Sequence, residues 1–211
     1  MKAIRHIAAL GLTMAFATLT LTSCLDDDND VSAQVVKLTE AQKQEVIEKL
    51  NGTYYCKLHY TSASIQREDS VSIVWDINGK TAKALCRNFP VDVLANYIAV
   101  DSVKQALREA GTQEVRCSYT TPDQAYQDEF SYDIFIYPFT VSEKLSYTTQ
   151  KGYELEVYFS DDLNYSGSYG RDITYSQMFQ RFGKLFQGSF IVEKVFYNGY
   201  AHEVKALLPF Y

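Results

Sequence analysis

The chain has 211 residues and a formal charge of −6, from 20 Lys and Arg against 26 Asp and Glu. With 46% apolar and 22% charged residues it has the composition of one globular domain, which excludes disordered and fibrous classes. The acidic balance argues against a nucleic-acid binder, which needs clustered Lys and Arg, and three His with four scattered Cys leave little for a transition-metal site.

Residues 1–23 read as an export signal. Lys2 and Arg5 form a basic head, Ile7 to Leu21 is an uncharged apolar run, and Leu21-Thr22-Ser23-Cys24 follows. The run is too short and wrongly flanked for a transmembrane span. Its ending resembles the bacterial lipoprotein box. The resemblance implies lipidation of the Cys24 sulfur, cleavage before it, and attachment to a membrane through acyl chains, each buried CH₂ contributing about 0.8 kcal/mol. The chain from Cys24 has 188 residues, and losing Lys2 and Arg5 takes the charge from −6 to −8. Leu25-Asp26-Asp27-Asp28-Asn29-Asp30 reads as a solvated acidic tether within 24–38. It is similar to the acidic export signal of Bacteroidetes surface lipoproteins, which implies the outer membrane and its outer face.

The globular domain is expected over 39–211. Thr39-Glu40-Ala41-Gln42 fits a capping box, and Val46, Ile47 and Leu50 form one stripe, predicting a helix over 40–50 that Asn51-Gly52 ends. Strands follow over 53–61 and 70–77, with Tyr54, Cys56, Leu58 and Tyr60 on one face and Val71, Ile73, Trp75 and Ile77 inward. Asn78-Gly79 predicts a two-residue hairpin turn into a strand over 81–87. Pro90 opens a short helix, and Asp101 is expected to cap a second with Val103, Ala106, Leu107 and Ala110 as its stripe and Gly111 as its end. Strands are expected over 113–120, 130–137, 142–148 and 153–160, with Pro138 at an edge or strand end. Thr174 to Phe186 reads as a helix, with Tyr175, Met178, Phe179, Phe182, Leu185 and Phe186 on one face. Strands 189–197 and 200–208 close the chain around Asn198-Gly199.

The fold expected is therefore α+β and mainly antiparallel β: a sandwich or barrel-like sheet with three or four short helices packed on it. The signal, the tether, Asn51-Gly52-Thr53-Tyr54, the Trp75 strand and Asn88-Phe89-Pro90 leading into Leu94 together resemble small Bacteroidetes lipoproteins of the domain-of-unknown-function 4840 family. That resemblance implies location and architecture and assigns no catalytic residue.

Chemistry is sparse. Cys56, Cys86 and Cys117 match no zinc spacing and read as buried thiols or as one disulfide plus a free thiol. His59 and Cys56 point to opposite faces of one strand. No nucleophile elbow, phosphate loop or paired-His motif occurs, so no enzyme and no cofactor is expected. An enzyme would at minimum require a cleft gathering His59 or His202 with carboxylates. Asp162, Asn164 and Ser166 lie at the first, third and fifth positions of a calcium-type loop, but Ile173 stands where such loops place Glu, so a polar turn is the simpler reading. Asp69-Ser70-Val71 is similar to the acceptor pattern for Bacteroidetes O-glycosylation, which makes Ser70 a candidate for modification.

Thirteen of the 17 tyrosines fall in 119–211. Tyr165 and Tyr169, in a polar loop, are candidate contacts for a glycan, whose CH faces stack on rings. The function expected is a surface-tethered, non-enzymatic binding domain for glycan or peptide. The alternative is a barrel-like carrier of an apolar small molecule.

Overall fold

The computed structural model describes residues 35–64, 66–121, 123–126, 134–160, 177–182 and 185–211, all within the unit Ala33–Tyr211. Strand β1 (Val35–Lys37) pairs antiparallel with β6 (Gln124–Tyr126) as a separate two-stranded sheet. Helix α1 (Glu40–Lys49) then begins on the expected capping box. The Gln42 N–H donates to Thr39 Oγ1 at 3.3 Å, and the Thr39 N–H donates to Gln42 Oε1 at 2.9 Å.

The other end of α1 is held by the sheet. Its last turn tightens, with the Leu50 N–H donating to the Ile47 carbonyl at 3.3 Å and Asn51 to Glu48 at 3.0 Å. Terminal helix carbonyls otherwise lack partners. Here sheet side chains supply them: Tyr137 donates to the Val46 carbonyl at 2.8 Å, Tyr119 to Ile47 at 3.3 Å, Tyr54 to Leu50 at 2.8 Å, and Arg181 to Lys49.

Eight antiparallel strands form a closed barrel. They are β2 (Gly52–Ser62), β3 (Arg67–Asn78), β4 (Lys83–Pro90), β5 (Thr112–Tyr119), β7 (Ile134–Val141), β10 (Met178–Phe182), β11 (Leu185–Tyr197) and β12 (Tyr200–Phe210). The order is β10-β7-β5-β4-β3-β2-β12-β11, and β11 returns to β10. The N-terminal half of β11 pairs with β10. After a bulge at Val192/Lys194, its C-terminal half pairs with β9 (Glu154–Phe159), which carries β8 (Leu145–Thr148) as an outer strand.

The seam between β2 and β12 is short. Leu58 faces Phe210, and Lys57 and Tyr211 exchange backbone bonds of 2.9 and 3.2 Å. A 3₁₀ helix (Val91–Tyr97) contacts both strands, and helix α2 (Asp101–Ala110) packs on it. Val103, Ala106, Leu107 and Ala110 of α2 are buried as its stripe predicts, but Asp101 is its first helical residue rather than its cap: Val100 holds the cap position and no side chain bonds there. Gly111, at φ +59°, ends α2, and its carbonyl accepts the Val91 N–H at 2.8 Å.

The described interior is filled with rings. Trp75 stacks on Phe190 at 5.2 Å and meets Phe179 edge-on at 4.8 Å, while Phe139 and Phe179 stack at 4.3 Å. Trp75, Phe139, Phe179, Phe190 and Phe210 are all fully buried. Such ring pairs contribute about 0.5–1.5 kcal/mol each beyond their burial.

Three local expectations are corrected. Residues 178–182 and 185–186 are not helical: they belong to strands β10 and β11, with Phe182 facing Leu185 and Met178 facing Ser189. Pairing with β7 on one side and β11 on the other satisfies both edges of β10, which a helix there would forgo. Asn78-Gly79 is not a two-residue turn, since Asn78 pairs with Lys83 and the positive φ falls at Ala82. Gly79 answers a different demand: a Cβ there would lie 2.7 Å from Glu48 Cα, so α1 needs a glycine at that point. Pro138 is not at a sheet edge, because β7 has β10 and β5 on its two sides. It sits where pairing with β5 runs out, its carbonyl accepting the Thr120 N–H at 3.0 Å just past the end of β5.

Candidate functional site

Of the residues singled out from sequence, Cys24, Asp162, Asn164, Tyr165, Ser166 and Tyr169 lie outside the described residues. Ser70 is on β3, directly across from His59 on β2, and its N–H donates to the Asp69 carboxylate at 2.8 Å. The thiols of Cys56, Cys86 and Cys117 are free and buried. Burial pushes Cys56 up to about 11 and Cys86 up to about 12, and Cys117 well upward also. These thiols are protonated at neutral pH and are poor nucleophiles.

A cleft of 280 Å³ on the outer wall gathers His59, Glu68, Asp69, Ser70 and Tyr211. The Tyr211 ring stacks on His59 at 4.1 Å, and His59 Nδ1 lies 3.1 Å from Glu68 Oε1. This is the gathering of histidine with carboxylates that an enzyme would require. The other ring nitrogen, Nε2, is buried and has no hydrogen-bond partner among the described residues. A general base must reach the proton it removes. Here Nδ1 is taken up by Glu68 and by the Tyr211 hydroxyl at 3.4 Å, while Nε2 is buried.

The larger cleft, 590 Å³, runs over the outer side of β3, β4 and β5 near the end of α1. Strand alternation places Asp76, Leu85 and Arg116 side by side, because Leu85 faces Asp76 on one side and Arg116 on the other. Asp76 accepts hydrogen bonds from Arg87 Nε and from Thr53 Oγ1, the latter at 2.8 Å. The Arg87 bond above all holds its carboxyl below the usual range. Arg116 pairs with Glu114 at 2.8 Å, and its carbonyl accepts the Ser142 N–H at 2.7 Å.

Two asparagines border this cleft, each with its oxygen engaged. Asn51 Oδ1 accepts the Gly79 N–H at 3.1 Å, and Asn78 Oδ1 accepts the Lys80 N–H at 3.0 Å. Their amide NH₂ groups, and the ammonium of Lys83, have no partner among the described residues. The result is a set of donors around the apolar Leu85 on a rigid wall. Sequence reading passed over Asp76, Lys83 and Arg116 because each looks like an ordinary outward residue of an alternating strand, and no short motif links them.

Among the described residues, no three His, Cys, Asp or Glu side chains are placed to hold a metal, and no helix is long and apolar enough to cross a membrane. Residues 49–196, more than half of the chain, match the family model described as "Domain of unknown function (DUF4840)", and the chain belongs to that family. No curated protein and no solved structure matches it.

Proposed function

We propose that this family member is an outer-membrane lipoprotein, anchored through lipid on Cys24, whose barrel serves as a non-enzymatic binding domain on the cell surface. The 590 Å³ cleft carries this reading: its volume falls in the range of about 300–1,000 Å³ usual for ligand sites. Its lining mixes free donors with an apolar floor, which suits a hydroxyl- or carbonyl-rich ligand such as a glycan or peptide. The buried Nε2 of His59 supports binding without catalysis. The rings filling the described interior weigh against the apolar-carrier alternative, since a guest there would have to displace Trp75 and its neighbours.

The test uses the full chain in detergent against panels of soluble glycans and peptides. A ligand should bind to wild type and lose at least tenfold in affinity when Lys83→Ala and Arg116→Ala are combined. A ligand that binds the double variant unchanged would reject the cleft. Mass spectrometry should find acyl chains on the residue 24 sulfur, and Cys24→Ser should release the protein from membranes; an unmodified thiol there would overturn the anchoring.

A further inference from the structure

The 590 Å³ cleft over β3, β4 and β5 has spent its side-chain acceptors. Both oxygens of Asp76 are taken, Oδ1 by the Thr53 hydroxyl and Oδ2 by Arg87 Nε. The Asn51 and Asn78 oxygens accept the N–H groups of Gly79 and Lys80. What stays free among the described residues is donors: the Lys83 ammonium, the two asparagine amides, and Nε and Nη1 of Arg116, whose bond to Glu114 uses Nη2 alone. That last pair is 67% and 52% exposed, and such surface ion pairs hold their partners weakly. With Asp76 matched by Arg87, Lys83 and Arg116 make a local positive spot on a chain of net charge −6.

Strand register sets the spacing of the two cations. Lys83 faces Ser118 on β5 while Leu85 faces Arg116, so Lys83 and Arg116 are diagonal neighbours on adjacent strands. Residues so related lie roughly 7–8 Å apart. Both belong to the outer face: Lys83 and Leu85 alternate with the buried Ala84 and Cys86, and Arg116 sits between the buried Val115 and Cys117. Leu85, directly across from Arg116 and two residues from Lys83, supplies apolar surface beside both. An extended peptide sets residues i and i+2 on one side, about 6.6 Å apart. Two Glu at that interval reach both cations at once, with their CH₂ stems over Leu85.

We infer that the cleft binds an extended acidic peptide through carboxylates on alternate residues, one held by Lys83 and one by the free edge of the Arg116 guanidinium. This rests on the cleft being the ligand site, as proposed above, and names the class of its ligand. The planar guanidinium suits a carboxylate, and the Asn51 and Asn78 amides donate to peptide carbonyls. An acidic sugar fits less well. Its carboxylate stands on a ring whose hydroxyls also donate, and the Asp76 and asparagine oxygens that would receive them are engaged. A Glu carboxylate ends a stem that carries no donor. Anionic membranes draw clusters of about 4–8 Lys and Arg, whereas this lining holds Lys83 and Arg116 only.

The experiment titrates the full chain in detergent into a labelled, end-blocked Ser-Glu-Ser-Glu-Ser peptide, read by fluorescence anisotropy. The peptide should bind, less tightly as salt rises, and its Gln counterpart should bind at least tenfold more weakly. Lys83→Ala combined with Arg116→Ala should lose at least tenfold. Lys83→Glu combined with Arg116→Glu should reverse the preference and take the Ser-Lys-Ser-Lys-Ser peptide instead. Both side chains are exposed, so these variants should melt with wild type. Equal affinity for the Glu and Gln peptides, or no binding of either, would overturn the acidic-peptide assignment. So would uronate oligosaccharides or anionic phospholipid vesicles that bind in their place and are lost in the double alanine variant. A neutral ligand lost in that variant while the Glu peptide fails would overturn this inference alone and leave the cleft as the ligand site. A Glu peptide that binds the charge-reversed variant unchanged would overturn both.

Discussion

Tyr137→Phe tests how α1 is held on the barrel. The hydroxyl is fully buried and donates at 2.8 Å to the Val46 carbonyl, itself in a residue only 4% exposed. The Leu50 N–H, which would serve that carbonyl in a regular helix, turns to Ile47 instead. Phe keeps the ring and removes only the donor, leaving a buried acceptor unsatisfied, at a cost of about 1–3 kcal/mol. Taking about 2 kcal/mol, the melting temperature of a domain this size should fall by about 4–8 °C. Urea unfolding should show a lower midpoint with an unchanged slope, and amide exchange should quicken in α1 before it does in β3. Tyr55→Phe, at an 82% exposed ring, is the control and should match wild type. If Tyr137→Phe also unfolded within 0.5 kcal/mol of wild type, the hydroxyls would not be holding the helix, and the apolar contacts of Val46 and Leu50 would suffice.

The buried thiols make stability depend on alkaline pH. Unfolded Cys ionises near pH 8.5 while native Cys56 and Cys86 hold their protons to about 11 and about 12, so their contribution is full below about pH 8.5 and declines as pH rises through the native values. Urea midpoints should fall between pH 8 and 11, and the triple Cys→Ala variant should flatten that fall. Gly188→Ala should destabilise by about 3 kcal/mol, because its Cβ would lie 2.1 Å from the Met178 carbonyl oxygen and 2.5 Å from Phe210 Cζ; a wild-type melting temperature would contradict the pairing of β10 with β11. Gly199→Ala has open space but a φ of +81°, so it should cost about 1 kcal/mol; an unchanged melting temperature would contradict the turn geometry.

Where local chemistry decides, sequence was a good guide. The capping box at Thr39, the apolar stripe of α2 and the Asn198–Gly199 turn each depend on residues within a few positions of one another, and each forms as expected. Where partners decide, it failed. Met178, Phe179, Phe182, Leu185 and Phe186 fit a helical face by spacing alone. Spacing does not register that β7 waits on one side and β11 on the other, or that Phe179 is needed beside Trp75 and Phe139. Asn78-Gly79 misled for a similar reason: its glycine answers the approach of α1, an element some thirty residues earlier in the chain. The 590 Å³ cleft was invisible because its lining comes from β3, β4, β5 and the end of α1, and strand register alone makes those residues neighbours.

The tyrosine abundance that suggested ligand binding therefore divides by position. Tyr54, Tyr119 and Tyr137 serve the fold, spending their hydroxyls on helix carbonyls while their rings line the barrel. Burial raises Tyr54 and Tyr119 above the ordinary phenol range, which keeps those donors protonated through neutral and moderately alkaline pH. Composition cannot separate these residues from Tyr153 and Tyr200, which carry the same side chain but leave the ring in water. The division follows from the barrel's economy of space. Among the described residues Trp75 and four phenylalanines fill the interior, and their packing fixes the strands that position the outward residues. The cleft proposed for a ligand lies on the outer side of that packing, where β3, β4 and β5 hold Asp76, Leu85 and Arg116 side by side.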